Sequence, residues 1–344
     1  FLLVLWQGGH QLLRGQISLG ALIAFYTYLG LLVWPMIALG WVTNIFQRGA
    51  ASIGRLNYIL RAQPQIDDRA TTIAAGTSPN GEIEFRNLTF SYPTNRAGNG
   101  AGEKTKSNGS GAHPVLHEIN LKIPAGSTLA IVGPTGSGKT TLAALVARLW
   151  EAPDGEVLID GRPIREWPLQ TLRKSIGYVP QDTFLFTETV GGNIAFGLPD
   201  YDLSKVREAA EVASLDADVQ GFTNKYDTVV GERGITLSGG QKQRTAIARA
   251  LVRDPRILIL DDSLSSVDTQ TEERILSRLR GIMQGRTTIL ISHRTSTVRD
   301  ADQIVVLRDG KISERGTHDE LLEREGYYAD LYRKQLLEEE LERA

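Results

Sequence analysis

Hydrophobic positions follow two different rules along this chain. From Gly15 to Gln47 no Asp, Glu, Lys or Arg interrupts a run rich in Leu, Ile, Val, Ala, Trp and Tyr. As a helix rising about 1.5 Å per residue, the run is roughly 50 Å long, more than the ~30 Å hydrocarbon core of a bilayer. Helices of water-soluble cores seldom stay uncharged for so long. The run therefore predicts a membrane span, and Pro35 inside it predicts a kink. Phe1 to Trp6 is apolar but too short to cross a bilayer, and it lacks the basic start and small-residue cleavage site of a signal peptide. It reads as the end of an earlier membrane helix, with Gly8 to Gln16 as a short loop on the far face. A chain that opens on Phe rather than Met is expected to be the C-terminal part of a longer one. Beyond Gln47 the helix is predicted to continue through Arg48, Arg55, Leu56, Ile59 and Leu60. Arg48, Arg55 and Arg61 mark this end as cytoplasmic, although Arg14 lies at the other.

The pattern then changes. Residues 63–81 are polar, with Gly76, Pro79 and Gly81, and read as a linker. From Glu82 onward short apolar runs alternate with helical spacing. Strands are predicted at Glu82–Phe90, Val115–Ile123, Ser127–Val132, Ile176–Pro180, Arg256–Leu260, Thr287–Ile291 and Ile304–Leu307. Asp309-Gly310 predicts a hairpin turn after the last. Thr141–Leu149, Leu203–Ala213 and Gln241–Leu251 have helical spacing. Strands alternating with helices over about 250 residues indicate an α/β domain with a largely parallel sheet. Residues 94–113, dense in Gly, Asn, Ser and Lys, read as a mobile surface insertion. The predicted organisation is an all-α transmembrane segment over 1–62, a linker over 63–81, a nucleotide-binding domain over 82–336, and a charged tail over 337–344. The Glu-rich stretch from Gln335 to Ala344 reads as a solvated helix end.

Composition narrows the chemistry. The 344 residues hold 38 Lys+Arg against 40 Asp+Glu, a net charge of −2, which argues against a nucleic-acid partner held by a large positive field. There is no cysteine, so disulfides, thiol catalysis and cysteine-ligated metals are excluded.

Gly133-Pro134-Thr135-Gly136-Ser137-Gly138-Lys139-Thr140 matches G-x-x-x-x-G-K-[ST] at every position. An apolar strand precedes it and a helix starting near Thr141 follows. The glycines let backbone N–H groups turn toward phosphate oxygens, and the helix N-terminus adds partial positive charge. Lys139 is placed to reach the β- and γ-phosphates of a nucleotide, and the Thr140 hydroxyl to bind Mg²⁺; alone, the motif says only nucleotide binding. Ile257-Leu258-Ile259-Leu260-Asp261-Asp262 is a buried apolar strand ending in Asp, the pattern that brings a carboxylate to the same Mg²⁺.

Leu237-Ser238-Gly239-Gly240-Gln241 lies between these elements and opens a helix, a further anion site. In that order the three strings resemble the ATP-binding cassette (ABC) family, with Leu237–Gln241 as its signature. Other positions match the same pattern. Tyr92 resembles the aromatic that stacks on adenine. Gln181, in Val179-Pro180-Gln181-Asp182, resembles the glutamine that ligates Mg²⁺ and senses the transport domain. Ser265-Ser266-Val267-Asp268 resembles the D-loop that crosses a dimer interface, and His293 the histidine that contacts the γ-phosphate. Gly231-Glu232-Arg233-Gly234 resembles the exporter X-loop. The resemblance implies an α/β P-loop NTPase cassette with a helical subdomain, fused to membrane helices in a half-transporter that works as a dimer. It also implies that Ser238, Gly239, Gly240 and Gln241 cap ATP held by the opposite cassette.

One position departs from the pattern. Family members that hydrolyse ATP well carry Glu after the strand-terminal Asp, whereas here Asp262 follows Asp261. A carboxylate one methylene shorter sits about 1.5 Å back, and proton abstraction is sensitive to such distances. Two arrangements remain open: a heterodimer in which this chain's own site is slow, and a homodimer that uses Asp262 as base. A non-transporting regulatory subunit is a third. A soluble cassette of the DNA-repair kind conflicts with the Gly15–Gln47 run. Val33, Trp34, Met36 and Trp41 form an apolar wall compatible with hydrophobic drugs or lipids, but lipid contact predicts the same residues, so the transported substrate is not readable.

Overall fold

The computed structural model describes residues 1–74, 76–93, 114–151, 154–231 and 237–343. Two compact units are present, Phe1–Gln65 and Ile66–Ala344.

The first unit is a pair of helices, α1 (Leu2–Leu13) and α2 (Leu19–Leu60). α2 is capped by Ser18, whose side chain accepts from the Ala21 N–H, and it continues through Pro35 without a break. It is long and apolar enough to cross a membrane. Gly8 to Leu13, predicted as loop, is helical. The reason is close packing rather than propensity: a Cβ on Gly8 would lie 2.4 Å from Leu22 Cδ1, so the glycine lets the two helices approach. The connection shortens to residues 14–18.

In the second unit the strands are β1 (Ile83–Phe90), β2 (Leu116–Ile123), β3 (Thr128–Val132), β4 (Asp154–Ile159), β5 (Arg162–Pro163), β6 (Ile176–Val179), β7 (Ile257–Asp261), β8 (Thr287–Ile291), β9 (Gln303–Arg308) and β10 (Lys311–Gly316). The helices are α3 (Lys139–Val146), α4 (Leu169–Lys174), α5 (Val190–Ala195), α6 (Leu203–Val212), α7 (Asp216–Gln220), α8 (Gly239–Leu251), α9 (Thr269–Met283), α10 (Thr295–Val298), α11 (His318–Glu323) and α12 (Tyr327–Arg343). Six strands form one sheet in the order β10-β9-β3-β8-β7-β6, parallel except for the β9–β10 hairpin. The other four form an antiparallel sheet, β2-β1-β4-β5.

Two cores follow from the two faces of the parallel sheet. Leu129, Ile131, Ile257, Ile259, Ile289 and Ile291 pack with α3 and the inner face of the antiparallel sheet. The alternate residues Ala130, Val132, Leu258, Leu260 and Leu290 pack with α5, α6, α8 and α9. Strands buried on both faces read as continuous apolar runs, which is why β3 and β7 were legible.

The predicted linker is fastened down on its C-terminal side. The Thr72 and Ile73 N–H groups donate to the Glu166 carbonyl, Asp160 accepts from the N–H groups of Asn80, Gly81 and Glu82, and Ile73 is buried. The predicted tail is the end of α12, which runs unbroken from Tyr327 to Arg343, and Leu336, Leu337 and Leu341 are exposed. Gln335, at the start of that stretch, is half-buried and hydrogen-bonded to Thr295 and His293. The 94–113 insertion and the Glu232–Gly234 part of the predicted X-loop lie outside the described residues.

Candidate nucleotide site

In a parallel sheet the carboxyl ends of neighbouring strands collect their following loops on one edge, where ligands bind. Here that edge gathers most of the predicted chemistry. β3 delivers Gly133, β7 delivers Asp261 and Asp262, β8 leads to His293, and β6 leads to Gln181. Tyr92, Thr135, Gly136, Lys139, Thr140, Thr141, Gln181, Asp261, Asp262 and His293 line one cleft of about 320 Å³.

The phosphate loop is held close to its neighbours. Gly133 has φ +149°, and a Cβ there would lie 2.1 Å from the Leu307 carbonyl oxygen, so any side chain would break the β9 contact. The Ser137 N–H donates to the Pro134 carbonyl. Ser137 Oγ is buried and has no hydrogen-bond partner, which is costly unless a ligand oxygen meets it. Lys139 is buried, and its Nζ donates to the Gly133 and Pro134 carbonyls at 2.8 and 2.9 Å. Burial pushes its pKa down, while Asp261 and Asp262 oppose that shift.

Asp261 is buried at the end of β7, and its Oδ1 accepts from Thr140 Oγ1 at 3.1 Å. Tyr178, not singled out in the sequence, points its hydroxyl at the other oxygen, Oδ2, at 3.5 Å. Burial raises the Asp261 pKa and the Asp262 carboxylate adds to the shift, whereas the hydrogen bonds from Thr140 and Tyr178 oppose it. Asp262 sits in the left-handed region at φ 46°, its N–H donating to the Ile291 carbonyl. Asp is among the residues that adopt this conformation most readily. Asp262 and His293 also line an adjoining cavity of about 110 Å³ with Ser263, Ser265, Glu272 and Arg294.

Tyr92 projects beside the loop, its hydroxyl 2.9 Å from Thr141 Oγ1. Its ring meets Phe90 and Trp150 edge-on at centroid distances of 5.1 and 5.2 Å. Trp150, at the end of the segment following α3, carried no sequence signal.

The Ser238–Gln241 string is not among the residues lining the cleft. Ser238 caps α8 in a reciprocal capping box with Gln241, as a Ser followed three residues on by Gln permits. Gly240 lies against Ser266, whose carbonyl oxygen a Cβ would meet at 3.1 Å. Three residues on, buried Gln243 ties this string to Ser265-Ser266: its Nε2 donates to Ser265 Oγ at 3.1 Å and its Oε1 accepts from the Ser266 N–H at 2.9 Å. At the far end of the same helix Arg249 donates to the Asn193 and Phe184 carbonyls and to Asn193 Oδ1. Burial brings the Arg249 pKa down to about 10.

The sequence and fold of this chain resemble those of known proteins. Residues 116–265 match the family described as ABC transporter. The chain is 40% identical over 343 residues to the multidrug resistance-like ATP-binding protein MdlA of Escherichia coli (strain K12), covering 100% of this chain and 55% of that one. It is 40% identical over 333 residues to the ATP-dependent lipid A-core flippase of the same strain, covering 96% and 54%. A solved structure, a bacterial Atm1-family ABC exporter with ATP bound, superposes with a TM-score of 0.76 at 37% identity over 93% of this chain and 53% of that one. The chain belongs to the ABC transporter family. It spans about half the length of the curated relatives it matches. The ABC transporter domain is an ATP-binding α/β P-loop domain, and the helical segment ahead of it could span the membrane.

Proposed function

We propose that this chain is the C-terminal part of an ABC half-transporter that binds and hydrolyses ATP at a cassette dimer interface and uses it to export a substrate across the membrane. The observation that supports it best is the meeting of Lys139, Thr140, Gln181, Asp261, Asp262 and His293 in one cleft, in a chain that also carries a 42-residue apolar helix. Ser137 Oγ and the phosphate-loop N–H groups would hold phosphate oxygens, and Lys139 would bridge the β- and γ-phosphates. Tyr92 would stack on the base.

Among the described residues no cluster of three or more His, Cys, Asp or Glu could hold a metal ion by itself. The donor set that fits Mg²⁺ is the Thr140 hydroxyl, the Asp261 carboxylate and the Gln181 amide completed by phosphate oxygens, as suits an ion that keeps substrate oxygens in its shell. When bound, Mg²⁺ neutralises charge on the β- and γ-phosphates. Asp262 would take the proton of the attacking water, and His293 would contact the γ-phosphate.

Asp262 is the shorter acid at the position of the base, so this chain's own site is proposed to hydrolyse slowly. A second half-transporter with Glu at that position would form a faster site against Ser238–Gln241, which makes a heterodimer the favoured assembly. Purifying the full-length parent in lipid tests both layers. Mg²⁺-dependent ATP hydrolysis is expected, and its absence with every co-purifying partner would remove the proposed activity. An intact mass showing two copies of one chain would replace the heterodimer with a homodimer that uses Asp262 at both sites.

Asp261→Asn separates charge from shape. Asn can still accept from Thr140, and it removes a buried carboxylate whose charged form burial disfavours. Thermal unfolding without nucleotide is expected at an equal or higher temperature. The gain in ATP affinity on adding Mg²⁺ is expected to fall about tenfold or more.

A further inference from the structure

His293 lies between β8 and α10, and its side chain is exposed. The main chain on either side is gripped by two residues that do not line the nucleotide cleft. From α12, Gln335 Nε2 donates to the His293 carbonyl at 2.6 Å. The Oε1 of the same amide accepts from the Thr295 N–H and the Thr295 hydroxyl, each at 2.8 Å. One planar group thus closes on both ends of the step from His293 to Thr295. From α9, buried Glu272 accepts from the Arg294 guanidinium and, at 2.6 Å, from Thr297 Oγ1. The backbone position of His293, and with it the point from which the imidazole projects, is therefore held from both sides.

α12 does not need Gln335 to stay in place. Two turns earlier Tyr328 is fully buried, and its hydroxyl is 2.9 Å from His318 Nδ1. The N–H groups of Tyr327 and Tyr328 donate to the Glu314 carboxylate at 2.7 and 3.2 Å. An amide placed two turns beyond a complete anchor, with both of its ends spent on the His293 segment, has a more specific consequence than docking.

We infer that Gln335 is a positioning residue for His293, through which the C-terminal helix fixes where the imidazole meets the γ-phosphate end of the nucleotide. This deepens the proposed function and rests on its assignment of His293. Gln335→Glu isolates the relevant arm. A carboxylate still accepts both Thr295 hydrogens but faces the His293 carbonyl with an acceptor, so the third bond is lost and replaced by repulsion.

The test compares two nucleotides that differ at the γ-phosphate, ADP and the β,γ-imido analogue of ATP, each with Mg²⁺. Equilibrium binding is measured on the full-length parent in its assembled dimer. Gln335→Glu is expected to weaken the triphosphate about three- to tenfold, on the scale of one or two lost hydrogen bonds, and to leave ADP unchanged. His293→Ala is expected to do the same, and the double variant to show no further loss. Gln335→Ala serves as a second variant should the Glu variant fail to assemble. Equal weakening of both nucleotides would reduce Gln335 to a structural role and overturn the inference. So would an unchanged triphosphate-to-diphosphate ratio in Gln335→Glu while His293→Ala lowers it, or additive losses in the double variant. A His293→Ala protein with the wild-type ratio would instead remove the assignment of His293 itself, and the inference with it.

Discussion

Alanine at position 139 is expected to weaken ATP binding at this chain's site by about 100-fold while leaving the fold intact. Lys139 is the buried cation of the phosphate loop, and its ammonium already donates to two loop carbonyls within 3 Å. Charge-assisted hydrogen bonds of this kind contribute roughly 1.5–3 kcal/mol each, and two phosphates would share the ammonium. Losing them costs about two orders of magnitude in affinity. The stability of the protein without nucleotide should change little, because burial already opposes the charge on Lys139. The measurement is a titration of the full-length protein with a fluorescent ATP analogue, alongside thermal unfolding. Wild-type affinity in Lys139→Ala would mean that the loop does not hold the phosphates.

Lengthening Asp262 acts in the opposite direction. Asp262→Glu is expected to raise ATP hydrolysis at this chain's site at least about tenfold, toward the 10²–10⁴-fold contribution of a well-placed general base. The added methylene carries the carboxylate about 1.5 Å further from the backbone. It is not free of cost. The residue sits at φ 46°, where Glu is less at ease than Asp, so a small loss of thermal stability should accompany the gain. Turnover of the assembled dimer is the readout, with the partner's own site inactivated so that only this one is counted. If turnover did not rise, the shorter acid would not be what limits the site, and the case for a heterodimer would lose its chief support.

The parts legible in the sequence were those whose chemistry is local. The phosphate loop is eight consecutive residues, and β3 and β7 read as apolar runs because both of their faces are buried. Leu203–Ala213 and Gln241–Leu251 showed helical spacing, and the structure has α6 and α8 within a residue or two of those bounds. Where contact partners lie far apart in the chain, the sequence was silent. β4 pairs with β1 across the intervening β2, β3 and α3, and nothing in Asp154–Ile159 announces that partner. Gly8 read as a turn residue because glycine is ambiguous until the helix it packs against is known. Gln335 read as a solvated end for a similar reason: in a Glu-rich helix its neighbours are exposed, and its three hydrogen bonds go to residues about 40 positions earlier. Gln243 and Glu272 sit inside helices, where a polar residue usually faces water, and only the tertiary structure shows them buried against Ser265-Ser266 and the His293 segment.

The aromatic group beside the phosphate loop has an optical consequence. Trp150 meets Tyr92 edge-on at 5.2 Å and is partly exposed. Trp167, by contrast, is buried with its indole N–H donating to the Ile159 carbonyl, so its surroundings are fixed by the core. The remaining tryptophans, Trp6, Trp34 and Trp41, belong to the apolar helices. A base stacked on Tyr92 would change the polarity and quenching felt by one indole in five. The protein thus carries a native fluorophore one ring away from the proposed base position, and emission from Trp150 can follow the arrival and departure of nucleotide without a label.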